Sequence, residues 1–116
     1  MKNTVVYIES ETKKYPLAFN LNVMETIQEH YGSLDEWGKV TQGEGEPKVK
    51  DLKYGVLAMV NEGIDMENEK NGTREPLLSS KQIGRIMTEV GIQTVVSAIR
   101  DITVASVKSE DNLGNV

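Results

Sequence analysis

The order of hydrophobic patterns along the chain predicts an α+β, mainly α fold, with an N-terminal β-hairpin packed on four to five short helices. Three observations predict it. A β-branched and aromatic run, Thr4 to Ile8, is answered after a polar connection by Tyr15 to Phe19. From Asn20 onward, apolar residues recur at helical spacing in successive stretches. Serine caps and glycine stops punctuate those stretches.

In the hairpin, Glu9 to Lys14 form the connection. Pro16 has no N–H to donate, so the second strand should lie at a sheet edge or begin beyond the proline. Asn20 is the expected N-cap of a first helix carrying Leu21, Met24, Ile27 and Tyr31 and stopping at Gly32. Ser33 and Glu36 have the spacing of a capping box for a short second helix that ends near Val40, with Leu34 and Trp37 on one face. Gly43 to Pro47 holds too much glycine and charge to pack and reads as an exposed, mobile loop.

A third helix begins at about Val49, with Leu52, Val56, Met59 and Val60 on its stripe, and Asn61-Glu62-Gly63 is expected to end or loosen it. Residues 65–76 are polar and close on Asn71-Gly72 and Pro76, so they read as a solvated acidic turn. Ser79 and Gln82 form a second capping box, opening a fourth helix with Ile83, Ile86, Met87 and Val90 that stops at Gly91.

The fifth segment, Ile92 to Val107, carries apolar residues beyond a single helical face. Ile92, Val95, Val96, Ile99 and Ile102 share one side, while Ala98, Val104, Ala105 and Val107 spread around the rest. Such a helix is either central to its own domain or covered by a partner, and its β-branched residues leave a strand over Ile102 to Val107 open. Residues 1–107 are expected to form one globular domain, with 108–116 a disordered polar tail.

Composition limits the chemistry. The 116-residue chain has no cysteine and one histidine, which removes disulfides, thiolate metal sites and a cysteine nucleophile. No stretch approaches the roughly 20 apolar residues of a membrane span, and the N-terminal apolar run is too short for a signal-peptide core, so a cytoplasmic, untargeted protein is expected. Residues 1–78 hold nine Lys/Arg against fourteen Asp/Glu, and residues 79–116 hold four of each, so the whole net charge of −5 lies in the first part. The one cationic cluster, Lys48, Lys50 and Lys53, stands among Glu44, Glu46 and Asp51, which argues against nucleic-acid binding.

No catalytic, cofactor or metal constellation emerges. Asp65, Glu67, Glu69 and Asn71 alternate like a calcium loop, but Lys70 and Pro76 occupy the positions that need glycine and a bidentate glutamate. His30 has Thr26 and Ile27 where a helical metal partner would stand, so it reads as a surface residue near a helix C-terminus. Neither a phosphate-binding Gly-Lys-Ser/Thr loop nor a Gly-x-Ser-x-Gly elbow is present. What is left is protein binding. Its candidate residues are Ile102, Val104 and Val107 of the fifth segment, Met66 in the acidic stretch, and Trp37, for which core packing is the favoured alternative.

Two stretches carry a resemblance. The run Tyr15-Pro16-Leu17-Ala18-Phe19-Asn20-Leu21-Asn22 with Gly32-Ser33-Leu34-Asp35-Glu36-Trp37, and the later Leu52-Lys53-Tyr54-Gly55-Val56-Leu57-Ala58-Met59-Val60-Asn61-Glu62-Gly63, resemble tail assembly chaperones of long-tailed bacteriophages and prophages. The resemblance implies a small, acidic, non-enzymatic cytoplasmic protein that binds the tape measure protein, keeps it soluble and helps recruit tail tube subunits. It also implies a short form and a longer frameshifted form, both absent from the finished virion. It identifies no partner-binding residue, and self-association stays open. The rival expectations are a small acidic regulatory or inhibitory phage protein, with Asp65 to Glu69 as its working surface, and a minor virion structural protein.

Overall fold

A computed structural model describes residues 5–43 and 45–114, with side chains described from Val5 to Ser106. Strands β1 (Val5–Glu9) and β2 (Lys14–Ala18) form the expected antiparallel hairpin, in a register that pairs Tyr7 with Pro16 and Glu9 with Lys14. Thr4 lies outside the described residues. Pro16 is tolerated inside β2 because each strand of a two-stranded sheet keeps one free edge. The connection is tighter than expected: Ser10 N–H donates to Lys13 O at 2.8 Å, and Lys14 pairs with Glu9 at 3.5 Å across the closing rung.

Helices α1 (Leu21–Tyr31) and α2 (Leu34–Gln42) begin at the serine and asparagine caps read from sequence. Asn20 Oδ1 accepts from Val23 N–H at 3.1 Å, and Gly32, at φ 88°, ends α1 in a conformation that favours glycine. At Ser33 only half of the expected capping box forms. Its hydroxyl accepts from Glu36 N–H at 3.1 Å, while the Glu36 carboxylate turns to Lys39 at 3.3 Å. α2 runs past Val40 because Thr41 is buried and returns its hydroxyl proton to Trp37 O at 2.8 Å.

The largest departure is α3, which spans Val49–Asn71. Asn61-Glu62-Gly63 does not end it, and the acidic stretch 65–71 is helical, not a turn. Gly63 is there for close packing: a Cβ would lie 2.8 Å from Pro16 O and 2.9 Å from Pro16 Cβ, so its missing side chain lets β2 rest directly on the helix. The true stop is Gly72, left-handed at φ 66°, whose N–H donates to Asn68 O. The stretch from Thr73 to Ser79 then runs without helix or strand structure to α4 (Ser80–Val90), where both capping-box bonds form: Ser79 N–H to Gln82 Oε1 at 2.8 Å and Gln82 N–H to Ser79 Oγ at 3.2 Å.

α5 (Ile92–Gly114) settles the choice left open for Ile102 to Val107: it is helix. Its backbone stays helical well into the polar stretch expected to be a disordered tail, and 115–116 lie outside the described residues. Most of its apolar excess belongs to the chain's own core. Val95, Val96, Ala98, Ile99 and Ile102 are buried, and buried Ser106 donates to Phe19 O at 3.1 Å. One core cluster joins Ile8 and Leu17 of the hairpin, Val23 and Ile27 of α1, Trp37, the Leu52-to-Ile64 stripe of α3, Ile83 and Met87 of α4, and α5. β2 covers α3, β1 rests on α5, and α1, α2 and α4 all pack on α3. Among the described residues no helix is long and apolar enough to cross a membrane.

Candidate functional site

α3 has two faces. Leu52, Val56, Met59, Val60 and Ile64 point into the core, while Lys50, Tyr54, Leu57, Ala58, Asn61 and Asp65 form a second stripe that stays half-buried or exposed. α1 flanks this stripe on one side, and the linker before α4 flanks it on the other. Two hollows lie end to end between these walls. The larger, about 470 Å³, is lined by His30 and Tyr31 of α1, by Lys50, Lys53, Tyr54 and Leu57, and by Ser80. The smaller, about 240 Å³, is lined by Asn22 and Thr26 of α1, by Ala58, Asn61, Glu62 and Asp65, and by Leu77 of the linker. Their linings share no residue but abut on α3, where Leu57 belongs to the larger and Ala58 to the smaller, so the two follow one another along the helix as the two halves of a furrow.

Side-chain amides build the second wall. Asn61 donates to Leu78 O at 2.9 Å and accepts from Leu78 N–H at 2.8 Å, and Asn68, seven residues on, makes the same pair of bonds with Glu75 at 2.9 and 3.0 Å. Two turns apart on one helix face, these amides pin the linker's backbone to α3 and satisfy groups that no regular element would serve. Leu77 is thereby held out at 55% exposure over the furrow. The sequence reading missed this, because it placed Asn68 in a turn.

At the other end the floor is aromatic. His30 stacks on Tyr54 with ring centroids 4.1 Å apart, and Tyr31 meets Tyr54 edge-on at 5.6 Å. The Tyr31 hydroxyl donates to Asp51 Oδ1 at 2.8 Å. Burial, then that hydrogen bond, then the negative charge of Asp51, all hold the Tyr31 phenol above its ordinary value of 10.0. A raised folded-state value stabilises the fold fully below the unfolded value, and that contribution is lost as pH rises beyond it. The urea midpoint is therefore expected to fall between about pH 9 and about pH 11, and Tyr31→Phe should flatten part of that fall. Tyr7, raised chiefly by its hydrogen bond to Glu67, contributes to the same slope, so only the difference between wild type and Tyr31→Phe counts. Identical slopes for the two proteins would contradict the assignment.

Charge divides the furrow. Lys50 and Lys53 stand at the aromatic end, and Glu62 and Asp65 at the Leu77 end. Ion pairs among the described residues involve Lys14 with Glu9 and Lys39 with Asp35 and Glu36, so neither furrow lysine is neutralised by one. Glu62 accepts from Asn22 at 2.9 Å, and Asp65 is exposed.

The residues singled out from sequence fall elsewhere. Ile102 has no exposure and Trp37 only 3%, with its indole N–H donating to Asp51 O at 3.0 Å, so both serve the core and neither is a surface contact. Met66 is half-buried, with its sulfur 3.6 Å from the Asn20 amide. Val104 is 46% exposed on α5, away from the furrow, and the Val107 side chain lies outside the described residues. The furrow residues were visible singly in the sequence, His30 as a surface histidine and Lys50 and Lys53 as a cationic cluster. Only the fold puts them together.

Among the described residues no three His, Cys, Asp or Glu side chains converge as a metal site. Helical geometry gives the reason for the acidic stretch: residues two apart on a helix point away from each other, and Glu67 already accepts the Tyr7 hydroxyl. Chelation of divalent cations is therefore expected to leave the melting temperature unchanged. A rise of several degrees on adding calcium would show a site that this geometry does not provide.

No protein-family model matches the chain, and comparisons with curated proteins and with solved structures find no relative.

Proposed function

We propose that this chain is a non-enzymatic assembly chaperone that works by binding another protein, and that its client is the tape measure protein of a long-tailed phage. The observation that carries the binding half is the furrow over α3: an elongated concave surface with an apolar and aromatic floor, open to solvent and walled by two well-anchored elements. The client rests on the resemblance of Tyr15 to Trp37 and Leu52 to Gly63 to tail assembly chaperones. A net charge of −5 suits a protein that keeps an aggregation-prone client in solution, because like charge keeps complexes apart.

The test is co-expression with the tape measure protein that this reading expects the same genome to encode. The expected result is a soluble complex and a tape measure protein that precipitates without this chain. Mass spectrometry of purified particles should find the chain absent. Its presence at stoichiometric copy number would make it a virion component instead. Against the acidic-inhibitor reading, Asp65 and Glu69 share a face of α3 but Glu67 points away from them and accepts the Tyr7 hydroxyl, so the Asp65-to-Glu69 stretch does not act as one anionic surface.

A further inference from the structure

We propose that the furrow receives one amphipathic helix of the client, laid along α3 with carboxylates over Lys50 and Lys53 and cations over Glu62 and Asp65. The occupant's identity rests on the assembly-chaperone reading, whereas its chemistry rests on the furrow alone.

Length sets the first constraint. From Lys50 to Asp65 the stripe spans about 23 Å at 1.5 Å per residue, which matches a partner helix of roughly 16 residues. Shape sets the second. α1 on one side and the pinned linker with the start of α4 on the other leave a channel over Tyr54, Leu57 and Ala58, so a helix laid there meets an apolar floor at i, i+3 and i+4 spacing. An extended strand would find little backbone to pair with, because the floor is a helix with its own backbone ladder and the linker's groups at Glu75 and Leu78 are taken by Asn68 and Asn61.

Charge sets the third. A uniformly acidic furrow would call for a basic partner, but this one is bipolar: two lysines without an ion pair at one end, and two carboxylates at the other. Asp51 sits beside the lysines, yet its Oδ1 is engaged by the Tyr31 hydroxyl at 2.8 Å. Opposite charges placed end to end fix the direction in which a bipolar helix lies, and they penalise the same helix reversed or with its charges interleaved.

The probe is a pair of fluorescent 18-residue helical peptides of identical composition, with leucines and a phenylalanine on one face. One carries its glutamates in the first half and its lysines in the second, and the other alternates them. The bipolar peptide is expected to bind the full-length protein at least about tenfold more tightly, since that ratio needs only about 1.4 kcal/mol of charge matching. Amide shifts should centre on Lys50, Tyr54, Leu57 and Leu77. Lys50→Glu/Lys53→Glu and, separately, Asp65→Lys should each erase most of the preference, with melting measured in parallel to show that the fold is kept. Equal binding of both peptides, no binding, or shifts centred away from α3 would overturn the proposal. So would a wild-type dimer that Lys53→Glu dissociates, because a second copy would then be the occupant. A tape measure protein that binds wild type and both variants alike would leave the chaperone reading standing and remove the furrow from it. Peptide discrimination without any tape measure binding would do the reverse.

Discussion

Val56→Asp is expected to abolish the folded state under conditions where the wild type is fully native. Val56 is 1% exposed on the core face of α3, in one cluster with Leu52, Met59 and Val60. The substitution forfeits about 1.5 to 3 kcal/mol of apolar burial. It also places a carboxyl among hydrocarbon, where an upward shift of about 3 to 5 pKa units leaves it protonated at a cost of about 4 kcal/mol at neutral pH. The sum is comparable with the whole stability of a typical domain, about 5 to 15 kcal/mol. Val104→Asp supplies the contrast. At 46% exposure on α5 it should change stability by no more than about 0.5 kcal/mol if no partner covers it. Circular dichroism and thermal melting read both. A Val56→Asp protein that melts like wild type would mean that the third helix does not face the core.

The contrast between Val56 and Val104 also shows what the sequence could and could not reveal. Local signals were legible where one residue's chemistry decides the outcome. Asn20 and Ser79 cap their helices, Gly32 and Gly91 take positive φ values of 88° and 90° at the stops, and the stripe at Leu52, Val56, Met59 and Val60 is buried. The failures arise where a residue's role depends on a distant partner. Gly63 reads as a stop until Pro16, far off in sequence, lies against it, and Asn68 reads as a turn residue until the linker folds back onto its amide. The excess apolar surface of the fifth segment suggested a covering protein. Its cover is largely the hairpin and α4, so Ile102 is a core residue and only positions such as Val104 remain for contact.

The furrow was illegible for a related reason. It is made of residues that are individually ordinary: a surface histidine, two tyrosines, two lysines and a leucine in a linker. The stripe of α3 that forms its floor partly overlaps the core stripe in sequence, so periodicity alone gives one wide apolar band over Leu52 to Ile64. Only the placement of α1 and of the amide-pinned linker divides that band into a buried part and an open part.

The second large effect is expected at Gly55, where a single methyl group should cost stability in a helix that ordinarily welcomes it. Replacing an exposed helical glycine by alanine stabilises by about 0.5 to 1 kcal/mol. At Gly55 a Cβ would collide with the Trp37 ring at Cζ2 and lie 2.7 Å from Cε2. The indole has nowhere to go, since the side chain is 3% exposed and its N–H is committed to Asp51 O at 3.0 Å. Overpacking of this kind costs about 1 to 3 kcal/mol, and displacing the ring would also forfeit a hydrogen bond worth about 0.5 to 1.5 kcal/mol. Gly55→Ala should therefore lower the melting temperature by roughly 5 to 15 °C, taking about 4 °C per kcal/mol for a domain of this size. Gly84→Ala is the control of opposite sign, because the nearest atom to its Cβ would be the flexible Lys53 Nζ at 3.5 Å, an ordinary contact. A double-mutant cycle isolates the cause: in a Trp37→Phe background the smaller ring leaves room for the methyl, so the penalty at Gly55 should shrink by at least about 1 kcal/mol. If the two substitutions are additive, or if Gly55→Ala stabilises as Gly84→Ala does, then α2 does not press its tryptophan against α3.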